Sequence, residues 1–561
     1  MSGPRVFRRV LVANRGEIAC RVITTCRRLG IETVLTVSDA DAASLPARLA
    51  DKVIRIGPAP AADSYLNVDA VVGAALAAGV DAIHPGYGFL SENARLAAAC
   101  AAAGIVFIGP APETLEATGD KLAARERATA AGLPVLPGGH VGLTAYPALP
   151  PNPGRRTPAT PASREASGTA ARDSRPKARE PDGDPFAALA AAIGYPVLVK
   201  AAGGGGGRGL RVVHDPAELA DAVAVASAEA GAAFGDPRVY LERYVERGRH
   251  VEVQILGDGE RVIHLGDRDC SVQRRYQKLI EEAPAPGLDD DLRERLRAAA
   301  VTLGRQLRYA GAGTVEFLVD VDRGEFYFLE VNARIQVEHP VTEAISGLDI
   351  VAEQIAIAEG RPLRLRQEDV TFAGHAIECR INAEDPAHDF RPSPGTVSRA
   401  VFPVGPASRN LGCGEDAGSE GGGRVAGYVR VDTHVQAGAT VPPYYDSLLA
   451  KVIAHGADRD DALAALRTAL DRCVIDGVTT NVGLQRAVIA ATGFAAGGVD
   501  TGYLARWLTD GGLAHADGNL AATDGTTDLD ADRGRAATDV YPNLDADGGR
   551  AASDADGADG D

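Results

Sequence analysis

Lysine is nearly absent from this chain: Lys52, Lys121, Lys177, Lys200, Lys278 and Lys451 are the six in 561 residues, so arginine carries almost all the positive charge. Positive charge is short overall, with a net charge of −18, which argues against a free nucleic-acid binder. Long apolar runs are missing as well. The best candidate, Ala97–Gly109, is short and alanine-rich, well below the roughly 20 residues that span a bilayer, so no membrane segment is expected. Met1 to Arg9 holds no apolar stretch followed by a cleavage site, and a cytoplasmic protein is expected. The seven cysteines, Cys20, Cys26, Cys100, Cys270, Cys379, Cys413 and Cys473, are odd in number and form no CxxC. That pattern excludes a disulfide framework or a zinc site and suits reduced thiols. An acidic, lysine-poor surface suits work in concentrated salt, and GC-rich codon usage produces the same bias. Either way, a lysine kept inside a motif is a poor candidate for surface filler.

What is present suits a globular protein with a substantial core: 45% of residues are hydrophobic. At roughly 100–200 residues per domain, the length suggests about three domains. Val6–Ala13, Thr33–Val37, Val80–His84 and Ile105–Ile108 are short apolar runs, with helical segments between them beginning near Ile18 and Glu92. Strands alternating with helices predict a parallel, doubly wound α/β sheet over the first 116 residues. Pro147–Pro185 is rich in Pro, Ala, Arg and Ser; it cannot bury enough surface to offset its chain entropy and is expected to be a disordered insertion. Residues 404–424 are expected to form a polar surface loop. Residues 511–561 are expected to form an acidic disordered tail, with 12 Asp against 3 Arg from Asp517 onward.

The sharpest motif is Pro196-Val-Leu-Val-Lys200-Ala-Ala followed by Gly203–Gly207, Arg208 and Gly209. Glycines let backbone N–H groups crowd around phosphate oxygens, and the preceding lysine adds a point charge. This is neither GxxxxGK[ST] nor a GxGxxG that opens a helix, because Leu210–Val213 continues as a strand. A glycine hairpin acting as a lid over a nucleotide fits better than a plain linker. A second motif places Glu316 on one strand and Glu330 and Asn332 on the next, across a turn at Asp322-Arg323-Gly324. Residues two apart share a face, so three hard oxygen donors converge if Glu316 lies opposite, and Mg²⁺ prefers such donors. Flanking Phe317, Phe326, Phe328 and Leu329 imply burial, and buried carboxylates require a partner. Third comes Arg334-Ile-Gln336-Val-Glu338-His339. Its arginine offers a planar fork for a small oxyanion and its glutamate a base, although alone the segment serves equally as a structural ion pair. Fourth, the charged run from Asp267 to Glu282 would ordinarily be a solvated face, but it contains Gln273 and the rare Lys278.

Together these motifs resemble the biotin carboxylases, the ATP-grasp components of acetyl-CoA, propionyl-CoA and pyruvate carboxylases. The resemblance runs from about Val6 to Leu508 through VANRGEIA (Val12–Ala19), IHPGYGFLSEN (Ile83–Asn93), KAAGGGGGRG (Lys200–Gly209) and RHVEVQ (Arg249–Gln254). It continues through FLEVNARIQVEHPVTE (Phe328–Glu343), ECRINAEDP (Glu378–Pro386) and VPPYYDSLLAK (Val441–Lys451). The implied architecture mixes α/β and α+β folds: a Rossmann-like N-terminal domain (1–116), an ATP-grasp domain (117–360) and a C-terminal biotin carboxylase domain (361–510).

By resemblance, Lys121 and Lys200 contact ATP phosphates, Gly206 and Gly207 lie in the lid, and Glu242, Arg243, Tyr244 and Val245 form the hinge that holds adenine. His250 is a further nucleotide contact, as is Tyr276, at a position that is His or Asn in other members. Glu316, Glu330 and Asn332 match ligands for Mg²⁺ or Mn²⁺, with two ions expected. Lys278, Arg334 and the Val337 backbone match the bicarbonate pocket, Glu338 the base that deprotonates bicarbonate, and Arg380 the arginine that stabilises the biotin enolate. The reaction implied is carboxylation of biotin by ATP and bicarbonate through carboxyphosphate. Acceptor domains of this family carry their lysine within Ala-Met-Lys-Met, whereas here Met1 is the single methionine and no lysine follows Lys451. Biotin is therefore expected as a substrate on a separate carboxyl carrier protein, with a carboxyltransferase subunit as a further partner and a homodimer as the usual assembly. Two other readings fit less well: a carbamoyl phosphate synthetase large subunit duplicates the grasp unit in a much longer chain, and a non-catalytic scaffold would have lost Glu316, Glu330, Lys278 or Arg380.

Overall fold

The computed structural model describes residues 5–140, 184–202, 210–403 and 427–513. The 404–424 loop, the glycine run 203–209, the insertion apart from its last two residues, and the tail apart from its first three lie outside the described residues. The described chain forms two compact units. One comprises 5–118, 124–133, 247–403 and 427–513; the other comprises 119–123, 134–140, 184–202 and 210–246.

The first unit opens with a parallel sheet of β1 (Arg9–Val12), β2 (Glu32–Ser38), β3 (Lys52–Gly57), β4 (Ala82–His84) and β5 (Val106–Phe107), in the order β3-β2-β1-β4-β5. Val10, Leu11 and Val12 of the central strand have no exposed surface, as expected where both faces are covered and apolar residues need not alternate. Four of these strands match the apolar runs of the sequence within a few residues. β3 has no such run because it is an edge strand whose Lys52 and Arg55 face solvent. After β1 comes α1 (Gly16–Arg28), with Glu17 in its first turn and Arg27 and Arg28 in its last, which complements the helix dipole. Asn14 pins the loop after β4: its Nδ2 donates to Pro85 O and Tyr87 O, each at 2.7 Å. Gly86 sits there at φ +63, and a Cβ would come within 2.9 Å of that same nitrogen, so the turn needs glycine.

The second unit holds an antiparallel sheet of β6 (Gly138–His140), β7 (Val197–Ala201), β8 (Arg211–Val213) and β9 (Val239–Arg243), in the order β6-β9-β7-β8. Asp184 caps the helix Pro185–Ile193 by accepting from Phe186 N at 2.9 Å. Phe186, Val197, Val199, Leu219, Val223 and Leu241 form this unit's core.

The larger sheet belongs to the first unit. It contains β10 (Gly248–Asp258), β11 (Val262–Arg274), β12 (Gln277–Ala283), β13 (Ala310–Asp320), β14 (Glu325–Asn332), β15 (His375–Asn382) and the strands Leu448–Gly456 and Tyr428–Thr433. All neighbours are antiparallel, in the order β14-β13-β10-β11-β12-β15, then Leu448–Gly456, then Tyr428–Thr433. Helices Asp290–Gln306 and His339–Ser346 pack against it. Period-two alternation sorts β10: Val251, Val253 and Ile255 take one face, while His250, Glu252 and Gln254 take the other. All six are buried. A buried sheet face built from charged side chains is costly unless its charges meet one another, and this face carries the candidate site.

Candidate active site

Directly opposed residues form a row across this face. Glu330 on β14 pairs with Glu316 on β13, Glu316 with Glu252 on β10, and Glu252 with Arg268 on β11. Three carboxylates in a row repel one another unless cations intervene. Lys278 reaches in from β12, with Nζ 2.6 Å from Glu252 Oε2, 2.8 Å from Glu316 Oε1 and 2.8 Å from Glu338 Oε1. Arg268, with no exposed surface, closes the row: its Nε donates to Glu252 Oε1 at 2.6 Å, and its other nitrogens donate to Gln254, Thr314 and Thr342.

Electrostatics follow from these contacts. Burial disfavours the Lys278 ammonium, but Glu252, Glu316 and Glu338 outweigh it and hold the amine well above its ordinary value. Burial alone would raise the Glu316 carboxyl, yet Lys278 and His250 keep it below the usual carboxylate range. His250 Nε2 lies 3.2 Å from Glu316 Oε2. Its imidazolium, penalised by burial, is restored by Glu316 and pushed up to about 9.

The three expected metal ligands come together. Asn332 Nδ2 donates to Glu316 Oε1 at 2.9 Å, and Glu330 is the cross-strand partner of Glu316. Two carboxylates and an amide oxygen form the hard-oxygen set that Mg²⁺ takes, so the donor chemistry fits such an ion. Arg334 joins the same group: Nη2 donates to Asn332 Oδ1 at 2.8 Å, Nη1 to Gln336 Oε1 at 2.9 Å and Nε to Glu92 Oε2 at 3.0 Å. Glu338, at the N-terminal boundary of the helix His339–Ser346 and without exposed surface, accepts from Lys278 at Oε1. It also accepts from Arg380 Nη2 at Oε2, at 3.0 Å. The carbonyl of Val337 accepts from Lys451 Nζ at 3.0 Å, and Lys451 Nζ also lies 3.0 Å from Glu17 Oε2. Glu17 in turn accepts from the Tyr87 hydroxyl.

In the second unit, Lys200 Nζ donates to Glu242 Oε2 at 2.9 Å and lies 5.7 Å from the centre of the Tyr240 ring. Glu242 and Arg243 end β9, while Tyr244 and Val245 follow it, with the Tyr244 ring edge-on to His214 at 6.5 Å. Lys121 opens the helix Lys121–Ala130. Tyr276, in the first unit, occupies the tight turn between β11 and β12 at φ +66, with 47% of its surface exposed. Gly206 and Gly207 lie outside the described residues.

Sequence reasoning missed Glu252, Arg268, Glu281, Glu378 and Lys451, all buried on or beside the charged face. The alternation His250-x-Glu252-x-Gln254 was a usable signal for the first. The others needed strand register, which no local pattern supplies.

A hairpin of paired carboxylates, a lysine and two arginines beside a buried glutamate define an ATP-dependent ligase of the ATP-grasp class, and the comparisons agree. Three family models match: Biotin carboxylase, N-terminal domain, at residues 6–115; Carbamoyl-phosphate synthase L chain, ATP binding domain, at 166–366; and Biotin carboxylase C-terminal domain, at 423–506. The biotin carboxylase of Pseudomonas aeruginosa is 46% identical over 504 residues, which cover 90% of this chain and 99% of that protein. The crystal structure of a biotin carboxylase–β,γ-ATP complex from Campylobacter jejuni superposes with TM-score 0.76 at 40% identity, covering 89% of this chain and 99% of that one. The biotin carboxylase domain dimer of Hydrogenobacter thermophilus 2-oxoglutarate carboxylase, solved with MgADP, ADP and bicarbonate, gives TM-score 0.76 at 40% identity, covering 90% and 98%. The chain belongs to the biotin carboxylase family. Among the described residues, no helix is long and apolar enough to cross a membrane.

Proposed function

We propose that this chain carboxylates biotin on a separate carrier protein, using ATP and bicarbonate, as the first half-reaction of an acyl-CoA or pyruvate carboxylase. The observation that carries the reading is the meeting of Lys278, Arg380 and Glu338. Glu338 takes a cation on each oxygen, at 2.8 and 3.0 Å, in a fully buried position. A carboxylate so held is a base fixed in place between two cations. Lys278, Arg334 and the Val337 backbone hold bicarbonate, and Glu338 removes its proton so that its oxygen attacks the γ-phosphorus, releasing ADP and forming carboxyphosphate. Carboxyphosphate then breaks to CO₂ and phosphate; the phosphate accepts the N1 proton of biotin, and N1 attacks CO₂. Arg380 stabilises the enolate oxygen that develops on the ureido ring.

Nucleotide binding is assigned to Lys121, Lys200 and Glu242–Val245 in the second unit, to the Gly206–Gly207 lid, and to His250 and Tyr276 in the first. Glu316, Glu330 and Asn332 would hold Mg²⁺ or Mn²⁺, two ions in all, and such ions neutralise phosphate charge when bound. Domains are assigned at 1–116, 117–360 and 361–510; the three family matches, at 6–115, 166–366 and 423–506, support their order along the chain. A carboxyl carrier protein and a carboxyltransferase are the assigned partners, with a homodimer as the assembly.

ATP cleavage by the purified chain tests the reading. ADP release that requires bicarbonate and rises with biotin supports it. Release that requires ammonia instead would transfer the chain to the carbamoyl phosphate synthetase type.

A further inference from the structure

Two glutamates buried beside Arg380 have no part in the reaction above. Glu281 on β12 and Glu378 on β15 are direct cross-strand partners, and neither has any exposed surface. Side chains at such positions start with Cβ atoms about 5 Å apart, which puts the two carboxyls within reach of each other. No oxygen of either carboxyl has a hydrogen-bond partner. Arg380, two residues along the same face of β15, brings its Nε within 2.6 Å of Glu281 Oε1, a close ion pair not aligned as a hydrogen bond. Its Nη2 goes to Glu338. The guanidinium is thus stretched between Glu281 and the proposed base. Two full negative charges on adjacent buried carboxyls are not sustainable with one arginine already shared.

We propose that Glu281 and Glu378 share one proton and act as a single-charged positioning pair that aims Arg380 at the reacting ureido oxygen. Glu378 donates to Glu281, Glu281 keeps the charge that anchors Nε, and the Nη edge stays committed to the site. The groups around the pair agree with one shared proton. Lys278 from β12, Arg380 from β15 and Lys451 from the strand Leu448–Gly456 face it, against Glu338 before the helix His339–Ser346, Glu252 on β10 and the thiols of Cys270 and Cys379. Burial pushes Glu378 well above its ordinary value against the pull of Lys451, and pushes Glu281 up to about 7 against that of Arg380.

The positioning role rests on the proposed function, whereas the shared proton does not, and the test separates them. Glu378→Ala, Glu378→Gln and Glu281→Gln are compared in the full chain. Glu378→Ala and Glu281→Gln lower the biotin-dependent kcat by about ten- to a hundredfold, the usual scale for a supporting hydrogen bond, with the ATP KM unchanged. Glu378→Gln recovers the rate, because its amide still donates. Infrared difference spectra between wild type and Glu378→Gln show loss of the C=O stretch of a protonated carboxylic acid. A Glu378→Gln chain as impaired as Glu378→Ala, or the absence of that band, would overturn the proposal. A wild-type chain without biotin-stimulated ATP cleavage would remove the functional reading and the positioning role together, while the band alone decides whether the proton is shared.

Discussion

Lys278 and Glu338, separated by 60 positions in sequence, meet with Nζ 2.8 Å from Oε1, the lysine at 12% side-chain exposure and the glutamate at none. The lysine's other two contacts, Glu252 and Glu316, leave it fully engaged without Glu338. Arg380, the cation on the other oxygen, keeps its ion pair with Glu281, so the charge of Glu338 can be removed without stranding a buried cation. Glu338→Gln should therefore fold normally and lose bicarbonate-dependent ATP cleavage by about 10²–10⁴-fold, the range for a positioned general base. ADP release and the thermal midpoint are the paired measurements. A variant that keeps its rate would remove Glu338 from the base role.

Glu316 and Glu330 are cross-strand partners, but they are not equivalent. Glu316 Oε1 already accepts from Lys278, Asn332 and Gln336, so its geometry is fixed by protein donors. Glu330→Gln removes a ligand charge and leaves those three donors on Glu316. The expected outcome is a Mg²⁺ requirement raised by about ten- to a hundredfold, read from the Mg²⁺ dependence of ADP release and from calorimetric titration with Mg²⁺. Unchanged Mg²⁺ dependence would take Glu330 out of the ligand set.

The parts of this site legible in the sequence are those encoded locally. Glu330 and Asn332 share a face because they are two residues apart on one strand, and Lys200 precedes a glycine run, so both patterns lie within a few positions. Lys278 was marked by rarity alone. Arg268, Glu281, Glu378 and Lys451 were not legible as site members, because their meaning comes from register. Arg380 lies opposite Lys451, and Glu281 opposite Glu378, and one-residue slips would separate either pair. Elsewhere in the sheet, bulges interrupt the β10–β11, β11–β12 and β13–β14 ladders, and single-sequence periodicity does not reveal a bulge. β3 was missed for a simpler reason: an edge strand with lysine and arginine outward has no apolar run to find.

Lys200 and Glu242 form a half-enclosed ion pair in the second unit, at 2.9 Å with side-chain exposures of 12% and 6%. Its proposed use is to hold a phosphate-binding cation in place between turnovers. Lys200→Gln should raise the ATP KM by about tenfold, equivalent to about 1.4 kcal/mol of binding. Initial rates against ATP at saturating bicarbonate measure it. An unaltered ATP KM would separate this lysine from the nucleotide.

Glu343 links three elements of the first unit from a position with no exposed surface. Oε1 accepts from Arg21 Nη2 of α1 at 2.8 Å and from Ile350 N at 2.8 Å, while Oε2 accepts from Arg430 Nη1 at 2.7 Å. Burial alone would raise its carboxyl, but Arg21 and Arg430 outweigh burial and hold it below the ordinary glutamate value. A folded value below the unfolded one means that the stabilisation is complete above the unfolded value of about 4.3 and is lost as pH falls through the folded value. Glu343→Gln weakens two buried ion pairs while Arg21 keeps Asp349 and Arg430 keeps Asp432, and should cost about 1–3 kcal/mol at neutral pH. As pH falls through the folded value the wild type protonates and the difference should shrink, because both chains then lack the charge. Urea unfolding of both chains at neutral and acidic pH measures this, and a gap of equal size at both would show that packing, not the ion pairs, accounts for the loss.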